Sequence, residues 1–207
     1  MRKTQFANSE YYHIYNRGVD KRKVFLGEKD YFRFLLCMRE FNCPDPIGSL
    51  EFRDRLRKKG LPIVGIIAYC LNPNHYHFIL KQNLDGGISR FMLKVGSGYT
   101  TYFNLKYNRN GALFQGPFKA THIDSNELLL YLSAYVNYNS EVHGIATAED
   151  YKWCSFPDYI GKRNGKLCNK EIILGQFNSQ KEYGKIAKES ATDMGRRKIM
   201  EKFLMEK

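Results

Sequence analysis

Residues 61–82 read LPIVGIIAYCLNPNHYHFILKQ. Two apolar runs flank Asn72-Pro73-Asn74, a group of residues that turns a chain. The run 61–72 reads as a buried strand and 75–82 as a second strand, so the stretch predicts an antiparallel hairpin. Side chains alternate along a strand. His75 and His77 therefore share one face, and Tyr76 and Phe78 share the other. The whole chain holds only five histidines.

Working outward, YYHIYNRG at 11–18 alternates and is rich in β-formers, which predicts a strand ending at Gly18; a basic turn, VDKRK, follows. Residues 28–41 place Phe32, Leu35, Leu36 and Met38 at helical spacing. Residues 42–60 carry prolines, glycines and the run RDRLRKKG, and read as a loop with a short basic helical piece. Beyond the hairpin a helix is expected over 88–107 and a strand over 113–124. Asp124 or Ser125 is placed to cap a helix that runs to Gly144, with Leu128, Leu132 and Val136 as its buried ridge. Residues 153–161 read as an irregular segment on the core, and one amphipathic helix is expected near 194–206. The order β-α-β-β-α-β-α predicts an α+β chain of the split βαβ, ferredoxin-like or RRM-like plan. The expectation is a four- to five-stranded antiparallel sheet with helices on one face, forming a domain over 1–175, and a basic C-terminal extension over 176–207.

The 207 residues carry 33 Lys and Arg against 21 Asp and Glu, a formal net charge of +12. That excess points to a polyanion, most simply a nucleic acid. With 15 tyrosines and 14 phenylalanines, stacking on unpaired bases is available, although core packing uses the same residues. Five scattered cysteines without a C-x-x-C pair argue against a disulfide framework or zinc knuckle. The longest apolar stretch, 62–71, is too short to span a bilayer, and the start has no apolar signal region. A cytoplasmic protein without a membrane partner is expected.

Two imidazoles on one strand face are suited to hold a divalent cation, although packed or solvated histidines fit the same spacing. The deaminase pattern H-x-E with P-C-x-x-C and the protease pattern H-E-x-x-H are both absent. On the helix over 126–143, Tyr131, Tyr135 and Asn139 are spaced by four and share a ridge. Asn139 offers an amide oxygen to a hard cation, and Tyr135 stands one turn earlier as a candidate nucleophile. Taken alone, such a tyrosine is more often an amphipathic core or rim residue.

Together these pieces resemble the single-tyrosine HUH transposases, especially the REP-associated tyrosine transposases. His75-Tyr76-His77 after Pro73-Asn74 is similar to the family's P-N-H and His–bulky–His pattern. YHIYNRG at 12–18, LFQGPFK at 113–119, YVNYNSEVHG at 135–144 and WCSFPDYIG at 153–161 resemble its other elements. Phe114, Pro117 and Ser140 depart from the usual Trp, Arg and Pro. The resemblance covers about residues 10–175. It implies Tyr135 as nucleophile and His75, His77 and Asn139 as ligands of Mg²⁺ or Mn²⁺. It also implies a single-stranded or hairpin DNA substrate and a 5′-phosphotyrosine intermediate. Arg17, Lys21, Arg22, Lys23 and Lys119, with the run Arg53 to Lys59, are candidate DNA contacts, and a solvated face accounts for them equally well. A non-catalytic hairpin-binding protein on the same fold and a relaxase or replication-initiator nickase are the rival classes. Monomer and homodimer both stay open.

Overall fold

The computed structural model describes residues 4–45, 50 and 61–205, with side chains through Asp193. Its centre is a four-stranded antiparallel sheet in the order β2-β3-β1-β4. β1 is Tyr11–Arg17, β2 Val64–Asn72, β3 His75–Gln82 and β4 Lys119–Ile123. Helix α1, Glu28–Glu40, joins β1 to β2, and α2, Gly87–Lys106, joins β3 to β4. This is the split βαβ order, and it makes the 61–82 hairpin one half of the sheet. β4 is shorter than the expected 113–124. Leu113 to Pro117 instead turns beside β1, with a bridge between Gly18 and Phe114 and with Gln115 N–H donating to Arg17 O.

Two compact units divide the chain, and each is described by itself. The first takes the described residues up to Gly65, Pro73–Tyr76 and Leu80–His122. Aromatic rings build its core. Phe34 of α1 meets Tyr76 at 5.6 Å and Tyr99 of α2 edge-on at 4.8 Å. The buried stripe of α1 is Tyr31, Phe34, Cys37 and Met38, one residue round from the expected one, and Phe32 is 60% exposed. Tyr31 takes the inner position by stacking on Phe25 at 4.5 Å. Gly18 is required at the end of β1, because a Cβ there would meet Arg22 O at 2.3 Å.

The second unit takes Ile66–Asn72, His77–Ile79 and the chain from Ile123 onward. Residues 153–155 line the outer edge of β2: Leu71 N–H donates to Trp153 O, and Ser155 N–H to Tyr69 O. Helix α3, Asn126–Asn137, is capped by Ser125, whose Oγ accepts from Leu128 N–H. Of the expected ridge Val136 is buried, but Leu128 and Leu132 are only half-buried, and Leu129, Ser133 and Asn137 complete the buried face. Two polar residues are tolerated there because they are satisfied. Asn137 donates to Tyr183 Oη at 2.7 Å and accepts from Ser155 Oγ at 2.6 Å, and Ser133 Oγ bonds the same tyrosine.

The helix does not run unbroken to 143. It ends at Asn137, Tyr138 sits at φ −94° and ψ 5°, and a separate turn, α4, covers Asn139–Val142. Gly144, at φ +65°, closes that turn as expected of a C′ glycine. Two short helices, α5 at Phe156–Tyr159 and α6 at Glu171–Leu174, precede α7, Gln180–Met205. The helix expected near 194–206 thus begins at 180, and it packs on α3 through buried Tyr183, Ala187 and Ala191. The basic run Arg53 to Lys59 lies outside the described residues. Among the described residues, no helix is long and apolar enough to cross a membrane.

Candidate active site

The turn Pro73-Asn74 is held from below by the basic turn that follows β1. Pro73 O accepts from Val24 N–H and Phe25 N–H, at 2.7 and 3.1 Å. Asn74 O accepts from Gly18 N–H at 2.8 Å, and Asn74 Nδ2 donates to Lys21 O at 3.2 Å. Lys21, Arg22 and Lys23, all exposed, are thereby fastened beside the residue that precedes His75. Asn74 Oδ1 lies 2.6 Å from His75 Nδ1. An amide oxygen only accepts, so the ring donates from Nδ1. This is the arrangement that orients an imidazole as a ligand.

His75 and His77 are each 8% exposed. A two-residue turn pairs Asn72 with His75 and Cys70 with His77, and residues opposite one another in an antiparallel pair project to one face. Asn72 is fully buried, and its Nδ2 donates to Asn139 Oδ1 at 2.5 Å. That bond fixes the Asn139 side chain against β2. Tyr135, half-buried on α3, and His77 set their rings edge-to-face, with centroids 5.4 Å apart and planes at 87°. The break at Tyr138 means that Tyr135 and Asn139 do not share one unbroken helical ridge. Asn72 does the placing instead. It reads in the sequence only as a turn residue, and the signal that could have found it is its position directly across from His75.

Of the other tyrosines on this segment, Tyr131 is 42% exposed. Tyr138 is buried against Phe156 at 4.6 Å, and burial pushes its phenol well above the usual range. Arg17 lies across from His75 in the β1–β3 pairing and is exposed; Gly18 N–H to Asn74 O and Gln82 N–H to Glu10 O fix that register. Lys119 is exposed with its ammonium 5.9 Å from the Tyr15 ring centre. His13 stacks on Tyr15, and burial lowers its imidazole to about 4, so it is neutral at neutral pH.

The fold is shared with a REP-associated tyrosine transposase. That solved structure holds the transposase bound to a REP hairpin. It superposes with a TM-score of 0.55 at 12% sequence identity, covering 81% of this chain and 88% of the other. The relationship is distant and structural. No family model and no curated protein sequence matches the chain.

Among the described residues, no three or more His, Cys, Asp or Glu side chains gather as a cation site. Two imidazoles and an amide oxygen are donor types that a divalent cation accepts. The residues present fit that role. Asn74 engages His75 at Nδ1, and Asn72 donates to the Asn139 carbonyl oxygen. Neutral nitrogen donors suit Mn²⁺ better than Mg²⁺, which prefers an oxygen shell.

Proposed function

We propose that this chain is a metal-dependent transposase-type nuclease that cleaves and rejoins single-stranded DNA at hairpin-flanked sites, with Tyr135 as nucleophile. The observation that carries the reading is the Tyr135 ring set against His77, on a fold shared with a tyrosine transposase bound to a hairpin.

In this reading His75, His77 and Asn139 hold Mn²⁺ or Mg²⁺, which supplies Lewis-acid polarisation of the scissile phosphate. Asn74 fixes the tautomer of His75, and Asn72 fixes the amide of Asn139. Arg17, Lys21, Arg22, Lys23 and Lys119 take backbone phosphates and orient the strand. The Tyr135 oxygen forms a bond to phosphorus as the bond to the 3′-oxygen breaks. The phenol proton passes to water, and the departing oxygen gains one. The 5′ end is left as a tyrosine phosphodiester. A 3′-hydroxyl attacking that ester reverses the step and regenerates Tyr135, so no nucleotide hydrolysis is required.

The test is incubation with an end-labelled single strand bearing a hairpin, followed by denaturing electrophoresis. Label is expected to remain on the protein when divalent cation is present. Chelation is expected to lower adduct formation roughly 10–100-fold, with Mn²⁺ restoring it more effectively than Mg²⁺. Adduct formation indifferent to chelator would remove the cation from the reaction.

A non-catalytic hairpin-binding module is the second reading, and the full burial of Asn139 favours it. Hairpin binding that survives chelation with no adduct under any cation would select it. Both readings share one expectation. With five named cations on phosphates, log K against log salt should slope at roughly −3 to −5. A slope near zero in a salt titration would take those residues off the DNA.

A further inference from the structure

Cys70 and Cys154 face each other at the outer edge of β2 as an isolated antiparallel bridge. The backbone bonds lie on either side of them: Leu71 N–H to Trp153 O at 3.0 Å, and Ser155 N–H to Tyr69 O at 2.9 Å. Residues 70 and 154 are therefore the non-hydrogen-bonded pair, whose Cα atoms sit about 4.5 Å apart with their side chains close. A disulfide spans Cα separations of about 4.4–6.8 Å. Both residues are fully buried and both thiols are reduced.

The Cys70 sulfur also touches the candidate site. Its thiol donates to Asn72 Oδ1 at 3.5 Å, on the same amide whose nitrogen holds Asn139. Across the hairpin, Cys70 stands opposite His77. One sulfur atom thus supports, through Asn72, the side chain of Asn139.

We propose that Cys70 and Cys154 are a disulfide-forming pair whose closure loosens the turn that carries Asn139. In the step, the two thiols lose two protons and two electrons and an S–S bond forms. A diazene oxidant such as diamide takes up both hydrogens at its N=N bond and becomes the hydrazine. The sulfur of Cys70 then has no proton for Asn72, and the amide that holds Asn139 loses that bond. Burial pushes the Cys70 thiol up, so closure is slow and waits on transient opening of the 151–155 edge. As regulation of strand transfer the proposal rests on the function given above; as covalent chemistry it stands without it.

The full-length protein is treated with diamide and compared with the reduced form by intact mass, peptide mapping and hydrogen exchange. The expected result is a loss of two hydrogen masses and a Cys70–Cys154 linked peptide. Exchange at the amides of Ser140 to His143 should rise about tenfold, the equivalent of one lost hydrogen bond. Adduct formation with the hairpin substrate should fall roughly tenfold and return with dithiothreitol. Cys154→Ala should show none of these responses. A map without the Cys70–Cys154 link overturns the proposal, and so does a linked protein whose exchange at 140–143 is unchanged. If the reduced protein forms no adduct at all, the nuclease reading fails, and mass and exchange still decide the cysteine pair.

Discussion

Tyr135→Phe is expected to lower covalent protein–DNA adduct formation at least about a thousandfold, because the variant lacks the oxygen that the proposed reaction would make into the ester. The ring is kept, so its edge-to-face contact with His77 persists and hairpin affinity should stay within about twofold of wild type. Tyr131→Phe should form the adduct normally, since its hydroxyl lies on the exposed side of α3. Tyr138→Phe should also form it. That phenol is packed on Phe156, and its raised pKa makes it a poor source of phenolate. The four proteins are compared on one labelled hairpin with Mn²⁺ under denaturing conditions. An adduct that persists in Tyr135→Phe and vanishes in either of the others would move the nucleophile.

The hairpin at 61–82 was legible because two apolar runs and an Asn-Pro-Asn turn allow few alternatives, and the rest of the sheet order followed from it. That His75 and His77 share a face follows from strand alternation alone. Two of the misread features have one physical cause in common: buried polar groups whose partners are remote in sequence. Ser133 and Asn137 look like surface positions until Tyr183 and Ser155 are placed against them, which is why the buried face of α3 was read one residue out of phase. Asn72 looks like turn chemistry, yet it is a buried strand residue bonded to a partner 67 positions away. The break at Tyr138 has no glycine or proline to announce it. The start of α7 was hidden because its inward residues, Tyr183, Ala187 and Ala191, are sparse in a polar sequence.

Asp30 is the sharpest case of a buried polar group, and it carries the second large effect. Its carboxylate is fully buried at the start of α1 and accepts from Leu26 N–H, Gly27 N–H, Tyr107 Oη and Tyr102 Oη at 2.8, 3.1, 2.8 and 3.1 Å. Lys106 of α2 completes the shell with an ion pair at 2.5 Å. Desolvation pushes this carboxyl up, but the bonds from Lys106, Tyr107, Leu26 and Tyr102 outweigh it and hold the group below the usual carboxylate range. A folded-state value below the unfolded value of about 3.9 means that the stabilisation is fully present above that value and is lost as pH falls through the folded one. Asp30→Ala leaves the Lys106 ammonium and two phenols facing a void, and breaking such a pair costs about 3–5 kcal/mol. The lower end is expected, because the Lys106 side chain is 31% exposed and still reaches water. Asp30→Asn keeps the shape and part of the hydrogen bonding but not the charge. It should cost less at about pH 7, and the gap to wild type should narrow as pH falls below about 4, where the unfolded chain's carboxyl takes up a proton that the folded one resists. Urea unfolding of the three proteins in both pH ranges checks this. An Asp30→Asn protein that loses as much stability on acidification as wild type would mean that this carboxylate does not fasten α1 to α2.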